Sequence, residues 1–203
     1  MVRAWLACFV ALVMPLAAEP VTPDQIAKEV LAPLLDPAKV ATLKGDRPVN
    51  ARLYRVLYWL ETAHQAGGHV PAVIDQAQAV AGYGGSVEAV ADARAITAAH
   101  ARMAAWRCYS AAGMEKLRRG GSPRIELGPH AGEIVHIDHV LPVSIVPALR
   151  AKFFNLRPEP ATVNLAKGNG IGPAEMELAR RWSRRGILSP AGLAAVERAA
   201  SPQ

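Results

Sequence analysis

Apolar residues recur at helical spacing through most of the first 117 positions, and a strand-like alternation enters only near Glu133. Thr22-Pro23-Asp24 has the composition of a helix start, with Thr22 as the cap and proline in the first turn, where its missing N–H has no partner to lose. That helix is expected to run toward Leu35, with Pro33 ending or kinking it a turn early and Asp36-Pro37 closing it. Gly45, Asp46 and Pro48 mark Lys44 to Asn50 as a loop. Leu53, Val56, Leu57 and Leu60 then form one apolar stripe, which predicts a helix over Ala51 to Gln65 closed by Gly67-Gly68. Another is expected from Pro71 to about Ala81, stopped by Gly82, Gly84 and Gly85. Ser86 opens the longest pattern: Ile96, Ala99, Met103 and Trp106 keep helical spacing, and one helix is expected to reach Leu117.

The texture changes at Arg118. Residues 118–124 read as a flexible basic segment, and Gly128-Pro129 is a further turn signal. Glu133 to Ile137 alternates and is rich in β-branched residues, as a short strand should be, with Phe153 to Arg157 as its candidate partner. Pro160 opens a helix across Ala161 to Lys167, ended by Gly168 and Gly170, and two more helices are expected at Pro173 to Arg184 and Pro190 to about Ala199. There is no internal repeat. The pattern therefore predicts a mainly α chain with a small α+β element: a helical region over residues 19–117, then a second region over 118–203.

Composition adds that the chain can bury a real core, being 51% hydrophobic and 20% charged. The first residues change the picture more. Arg3, an uncharged apolar run from Ala4 to Ala17, and the small residues Leu16-Ala17-Ala18 before Glu19 read as a cleavable export signal over residues 1–18. The run is shorter than the ~20 residues of a membrane-spanning helix, with an uncleaved anchor as the alternative. The expected location is periplasmic or secreted, with no stable membrane span in the mature chain. Cleavage removes Cys8 and leaves Cys108, which can form neither an internal disulfide nor a four-thiolate zinc site and is expected to be a buried structural thiol. Charge is uneven: residues 19–114 balance nine Lys/Arg against nine Asp/Glu, whereas residues 115–203 carry thirteen against eight. A basic second half fits a polyanion-binding surface or an ordinary solvated one, and charge alone does not separate them.

Polar residues gather at the junctions of the strand–loop–strand–helix segment: His136, Asp138, His139, Asn155, Asn164 and Lys167. Asp138-His139, Pro142 shortly after, Asn155, and Asn164-Leu165-Ala166-Lys167 on the helix stand in the order and spacing of a known pattern. In these residues the stretch from Glu133 to Gly170 resembles the HNH nuclease family, whose signature is a ββα-metal motif. Each piece alone reads as ordinary polarity; the ordered set carries the resemblance. It implies that His139 is the general base of phosphodiester hydrolysis and that Asn155 belongs to the catalytic set, bracing the His139 loop or orienting its imidazole. It further implies that Asp138 and Asn164 bind one divalent cation, magnesium or else manganese. These are hard oxygen ligands of the kind such ions take. Two departures from the family are the absence of paired cysteines, so that no structural zinc is expected, and Asn164 where a second histidine often stands.

His136 lies two residues before Asp138, so a strand places both on one face; it is a candidate ligand, a hydrogen-bond partner of Asp138, or a plain surface histidine. Lys167, Arg157 and Arg150 are candidates for phosphate contacts. Because adjacent strand residues point to opposite faces, the strand is expected to end and curl at Asp138-His139. His64, His69, His100 and His130 read as structural or exposed. The function expected is an exported metal-dependent endonuclease acting on nucleic acid, DNA ahead of RNA. The alternative is a nucleic-acid-binding or interaction protein whose HNH-like site is inactive.

Overall fold

Helix formation starts where the sequence supplies a cap. In the computed structural model, which describes residues 21–200, the Thr22 hydroxyl accepts the Gln25 N–H and the Gln25 side chain accepts the Thr22 N–H, a reciprocal capping box. The leader expected over residues 1–18, with Cys8, lies outside the described residues. Helix α1 (Pro23–Gln25) passes without a break through a π-helical stretch, Ile26–Leu31, into α2 (Ala32–Leu35). Pro33 therefore does not end the helix early. The Ala32 N–H reaches back five residues to the Ala27 carbonyl, a widened turn just before the proline ring, and Arg52 donates to the Pro33 and Leu34 carbonyls beyond it. Asp36 caps α3 (Pro37–Ala41) by accepting the Ala38 N–H at 2.9 Å.

Helix α4 (Asp46–Gln65) starts five residues before the expected Ala51. Pro48 falls in its first turn, where it forfeits no helical hydrogen bond, so Asp46 and Pro48 open the helix and do not break it. Leu53, Val56, Leu57 and Leu60 are all at most 1% exposed, as their stripe predicts. Helix α5 (Val70–Val80) follows, then α6 (Val87–Ala105), capped by Ser86. The single long helix expected up to Leu117 is two, because the chain turns at Arg107, whose φ is 53°, before α7 (Ala111–Arg118). The Arg107 N–H bonds the Ala104 carbonyl at 2.9 Å and the Cys108 N–H bonds the Met103 carbonyl at 2.9 Å, the pairing that closes a helix through one left-handed residue. Cys108 is fully buried just past this turn, and burial pushes its thiol up to about 12.

The basic segment after α7 is ordered by a second such closure: Gly120, at φ 74°, donates to Leu117, and Gly121 donates to Lys116, both at 2.9 Å. Strand β1 (Val135–His139) pairs antiparallel with β2 (Leu156–Pro160), in register Ile137 to Pro158, Asp138 to Arg157 and His139 to Leu156. β1 lies two residues later than the expected Glu133 to Ile137. β2 starts after a 3₁₀ turn, Phe153–Asn155, where the sequence reading began the strand. Helix α8 (Ala161–Lys167) covers one face of the ribbon, and α9 (Pro173–Arg184) and α10 (Pro190–Ala200) complete the chain.

Two apolar clusters hold this together. The larger joins the helices of the first half, from Ile26 to Leu117, with Val135, Ile137, Phe153 and Leu156 of the ribbon region, so the boundary expected at residue 118 runs through one core. The smaller packs Val140, Leu141, Val146, Leu149 and Phe154 of the inter-strand loop against Ala179, Trp182, Leu188 and Val196 of the last helices, with Phe154 and Trp182 edge to face at 4.9 Å. Arg102 of α6 reaches the far side of the ribbon, donating to the Pro158 carbonyl at 3.0 Å and pairing with Glu159. Among the described residues no helix is long and apolar enough to cross a membrane.

Candidate active site

The ribbon and the helix that follows it present their polar residues in matching register. His136 and Asp138 are two apart on β1 and share the face covered by α8, while Asn164 and Lys167 are three apart on α8 and share its inner face. Asn164 Nδ2 donates to His136 Nδ1 at 3.2 Å, and Lys167 Nζ meets both Asp138 carboxylate oxygens at 2.8 Å. The short helix is fixed at its start by Glu133, whose carboxylate accepts the Thr162 N–H at 2.9 Å. That hydrogen bond, with those from His130 and the Thr162 hydroxyl, holds the Glu133 carboxyl down at about 2.

Asp138 is only 3% exposed, and a buried carboxylate demands compensation. Lys167 and Arg157 supply it. Arg157 donates to Asp138 Oδ2 at 3.1 Å from the directly opposed position on β2, and also pairs with Glu159. Lys167 Nζ further donates to the carbonyls of His139 at 2.7 Å and Val140 at 3.1 Å. Lys167 and Arg157, the candidates for phosphate contacts, are both partners of Asp138 in this structure.

As expected, β1 ends at the Asp138-His139 pair, with one further bond past it from the Val140 N–H to the Asn155 carbonyl at 2.9 Å; as neighbours on the strand the two side chains leave on opposite faces. Both residues nonetheless border one cleft of about 600 Å³ at the end of the ribbon, together with Asn164, Arg150, Asp46 and Asn50. His139 Nε2 lies 2.9 Å from the Arg150 carbonyl oxygen. A carbonyl only accepts, so Nε2 carries the proton and Nδ1 keeps the lone pair a base requires. The Arg150 side chain, a candidate for phosphate, pairs with Asp46.

Asn155 is fully buried. Its Oδ1 accepts the Leu141 N–H at 2.8 Å, and its Nδ2 donates to the carbonyls of Leu141 at 3.0 Å and Leu149 at 3.3 Å. It touches no group in the cleft. Its place in the catalytic set becomes that of a positioning residue, which ties the segment after His139 to the turn that carries Arg150.

The side-chain oxygens on this cleft that could hold a hard cation are those of Asp138 and Asn164. Asp138 Oδ1 accepts only from Lys167, and Asn164 Oδ1 has no donor among the described residues because Nδ2 is turned to His136. One anionic and one neutral oxygen on a shared cleft suit an ion that fills its other positions with water and phosphate. Among the described residues no three His, Cys, Asp or Glu side chains cluster as a metal site, so the candidate set rests on the Asn164 carboxamide beside one carboxylate. His136, read in three ways from the sequence, is the partner of Asn164.

Sequence reasoning missed two contributors. The Arg150 backbone carbonyl sets the His139 tautomer, and a backbone group leaves no residue-type signal. Asp92 of α6 accepts the Phe154 N–H at 2.8 Å and so anchors the turn before Asn155; an acidic residue on an apolar helix face was its only trace. The remaining histidines are structural or exposed as expected: His100, buried, bonds Glu61 at 2.9 Å, and His130 pairs with Glu133. No protein-family model, no curated protein and no solved structure matches this chain.

Proposed function

We propose that the chain is an exported, divalent-cation-dependent nuclease that hydrolyses phosphodiester bonds within nucleic acid, DNA ahead of RNA. One observation carries this reading: an imidazole with its tautomer fixed by a backbone carbonyl borders the same cleft as a carboxylate and an unpaired carboxamide oxygen. His139 Nδ1 takes a proton from the attacking water as its oxygen bonds to phosphorus and the opposite P–O bond breaks. The Arg150 carbonyl holds the ring in place and accepts from Nε2 throughout, which favours the imidazolium that forms. Asp138 and Asn164 would hold a magnesium or manganese ion, which would supply positive charge for the phosphoryl and departing oxygens. Export rests on the composition of the first 18 residues.

A second reading has one observation in its favour. Lys167 already sets an ammonium on both oxygens of Asp138, as an inactive nucleic-acid-binding site would keep it. Conversion of supercoiled plasmid separates the two. The first expects nicking in magnesium, none in EDTA, and a loss of roughly 10²–10⁴-fold in His139→Ala, the range of a general base. Activity in that variant equal to wild type removes His139 from its role. Retarded plasmid that stays uncut in magnesium favours the second reading.

A further inference from the structure

Next to the cleft of the candidate site lies a second one, of about 440 Å³, and the two share Asn50, Ile137 and Asn164. They form one continuous groove. Its near wall is the ribbon with α8. Its far wall is the helical first half: Asp46, Arg47, Asn50, Ala51 and Tyr54 of α4, spaced so that they fall on one helical face. Tyr54 locks the walls at a fixed separation, because its hydroxyl donates to the Val135 carbonyl at 2.8 Å and lies 2.9 Å from the Ser122 hydroxyl. At its other end the groove is bounded by Gly120 and Gly121, on the turn that follows the basic last turn of α7. A Cβ at Gly120 would stand 3.0 Å from the Ala51 Cβ, so the turn sits directly on α4 without a side chain filling the space.

One cation on the far wall is free: Arg47 is exposed in the first turn of α4, borders the second cleft and makes no ion pair among the described residues.

We propose that this second cleft is the track of the strand leading into the candidate active site, with Arg47 on its phosphate backbone. The helical first half is then the second wall of the substrate groove. The assignment rests on the nucleic-acid reading above, but it concerns binding, which can be measured without cleavage.

The test uses fluorescein-labelled single-stranded DNA oligonucleotides of one base type each, titrated with the full chain in EDTA and followed by anisotropy. Arg47→Ala is expected to weaken binding roughly two- to fivefold, the range of an exposed ion pair, alike for every oligonucleotide. It should also lower the slope of log K against log salt by about 0.7, the release of one counterion from a single strand. Arg55→Ala, exposed on the same helix but outside both clefts, is the control and should keep wild-type affinity.

Unchanged affinity and slope in Arg47→Ala, or an equal loss in Arg55→Ala, overturns the track. If magnesium-dependent nicking is present while Arg47→Ala binds like wild type, the groove assignment fails and the nuclease reading survives. If nicking is absent but binding depends on Arg47, the reverse holds.

Discussion

Asn155 uses three of the four hydrogen-bonding positions of its carboxamide on backbone groups of Leu141 and Leu149, all out of reach of water. Asn155→Ala leaves those groups unpaired, and each buried orphan costs about 1–3 kcal/mol. The variant is expected to lose roughly 3 kcal/mol in urea unfolding. Plasmid nicking should fall with it even under conditions where the protein stays folded. An unchanged unfolding midpoint would show that the brace is dispensable. At this scale the sequence picked out the polar residues of one segment and was silent about how they pair. The order of Asp138, His139, Asn155 and Asn164 was readable because it is a matter of spacing. That Lys167 and Arg157 converge on Asp138 was not, because it depends on a strand register and a helix docking angle that no local pattern encodes. The tautomer of His139 was equally hidden, since its determinant is a carbonyl.

Helices and strands were legible wherever punctuation is carried by side chains. Thr22, Asp36, Ser86 and Gly168 mark termini in the sequence and do so in the fold. The misreadings have one cause: a breaker residue type is not a breaker in every position. Pro48 sits where a helix tolerates it, and the turn at Arg107 is made by a residue that ordinarily avoids a left-handed backbone. Arg107 is exposed and its side chain supports nothing else, so glycine should serve the turn better. Arg107→Gly is expected to stabilise the fold by about 1 kcal/mol, the cost of placing an L side chain in that conformation. Thermal unfolding would show this as a rise of a few degrees, and a fall would mean that the arginine contributes something its geometry does not reveal.

Taken whole, the molecule does not divide where composition suggests. Ribbon residues Val135, Ile137, Phe153 and Leu156 belong to the core of the helical half, and Asp92 of α6 holds the turn before Asn155 by accepting the Phe154 N–H. Desolvation raises the Asp92 carboxyl from 3.8 to about 7, with Glu88 nearby adding to the shift. A carboxyl whose folded value is raised stabilises the fold fully below its unfolded value, and that contribution drains away as pH climbs from about 4 to about 7. Asp92→Asn keeps a carbonyl for the Phe154 N–H but cannot ionise. Its melting temperature relative to wild type should therefore rise between pH 5 and pH 8, and a constant difference would discard the assignment. A joint of this kind between two compositionally distinct halves leaves no local signal in the sequence.

The pairing of β1 with β2 has a consequence for solubility. In that register Pro158 and Pro160 stand where a backbone N–H would face outward, and the Pro158 carbonyl on the same side is occupied by Arg102. The outer margin of the sheet therefore lacks the donors and the acceptor that an incoming strand would need. On the β2 side a neighbouring copy therefore finds no row of free donors to pair with.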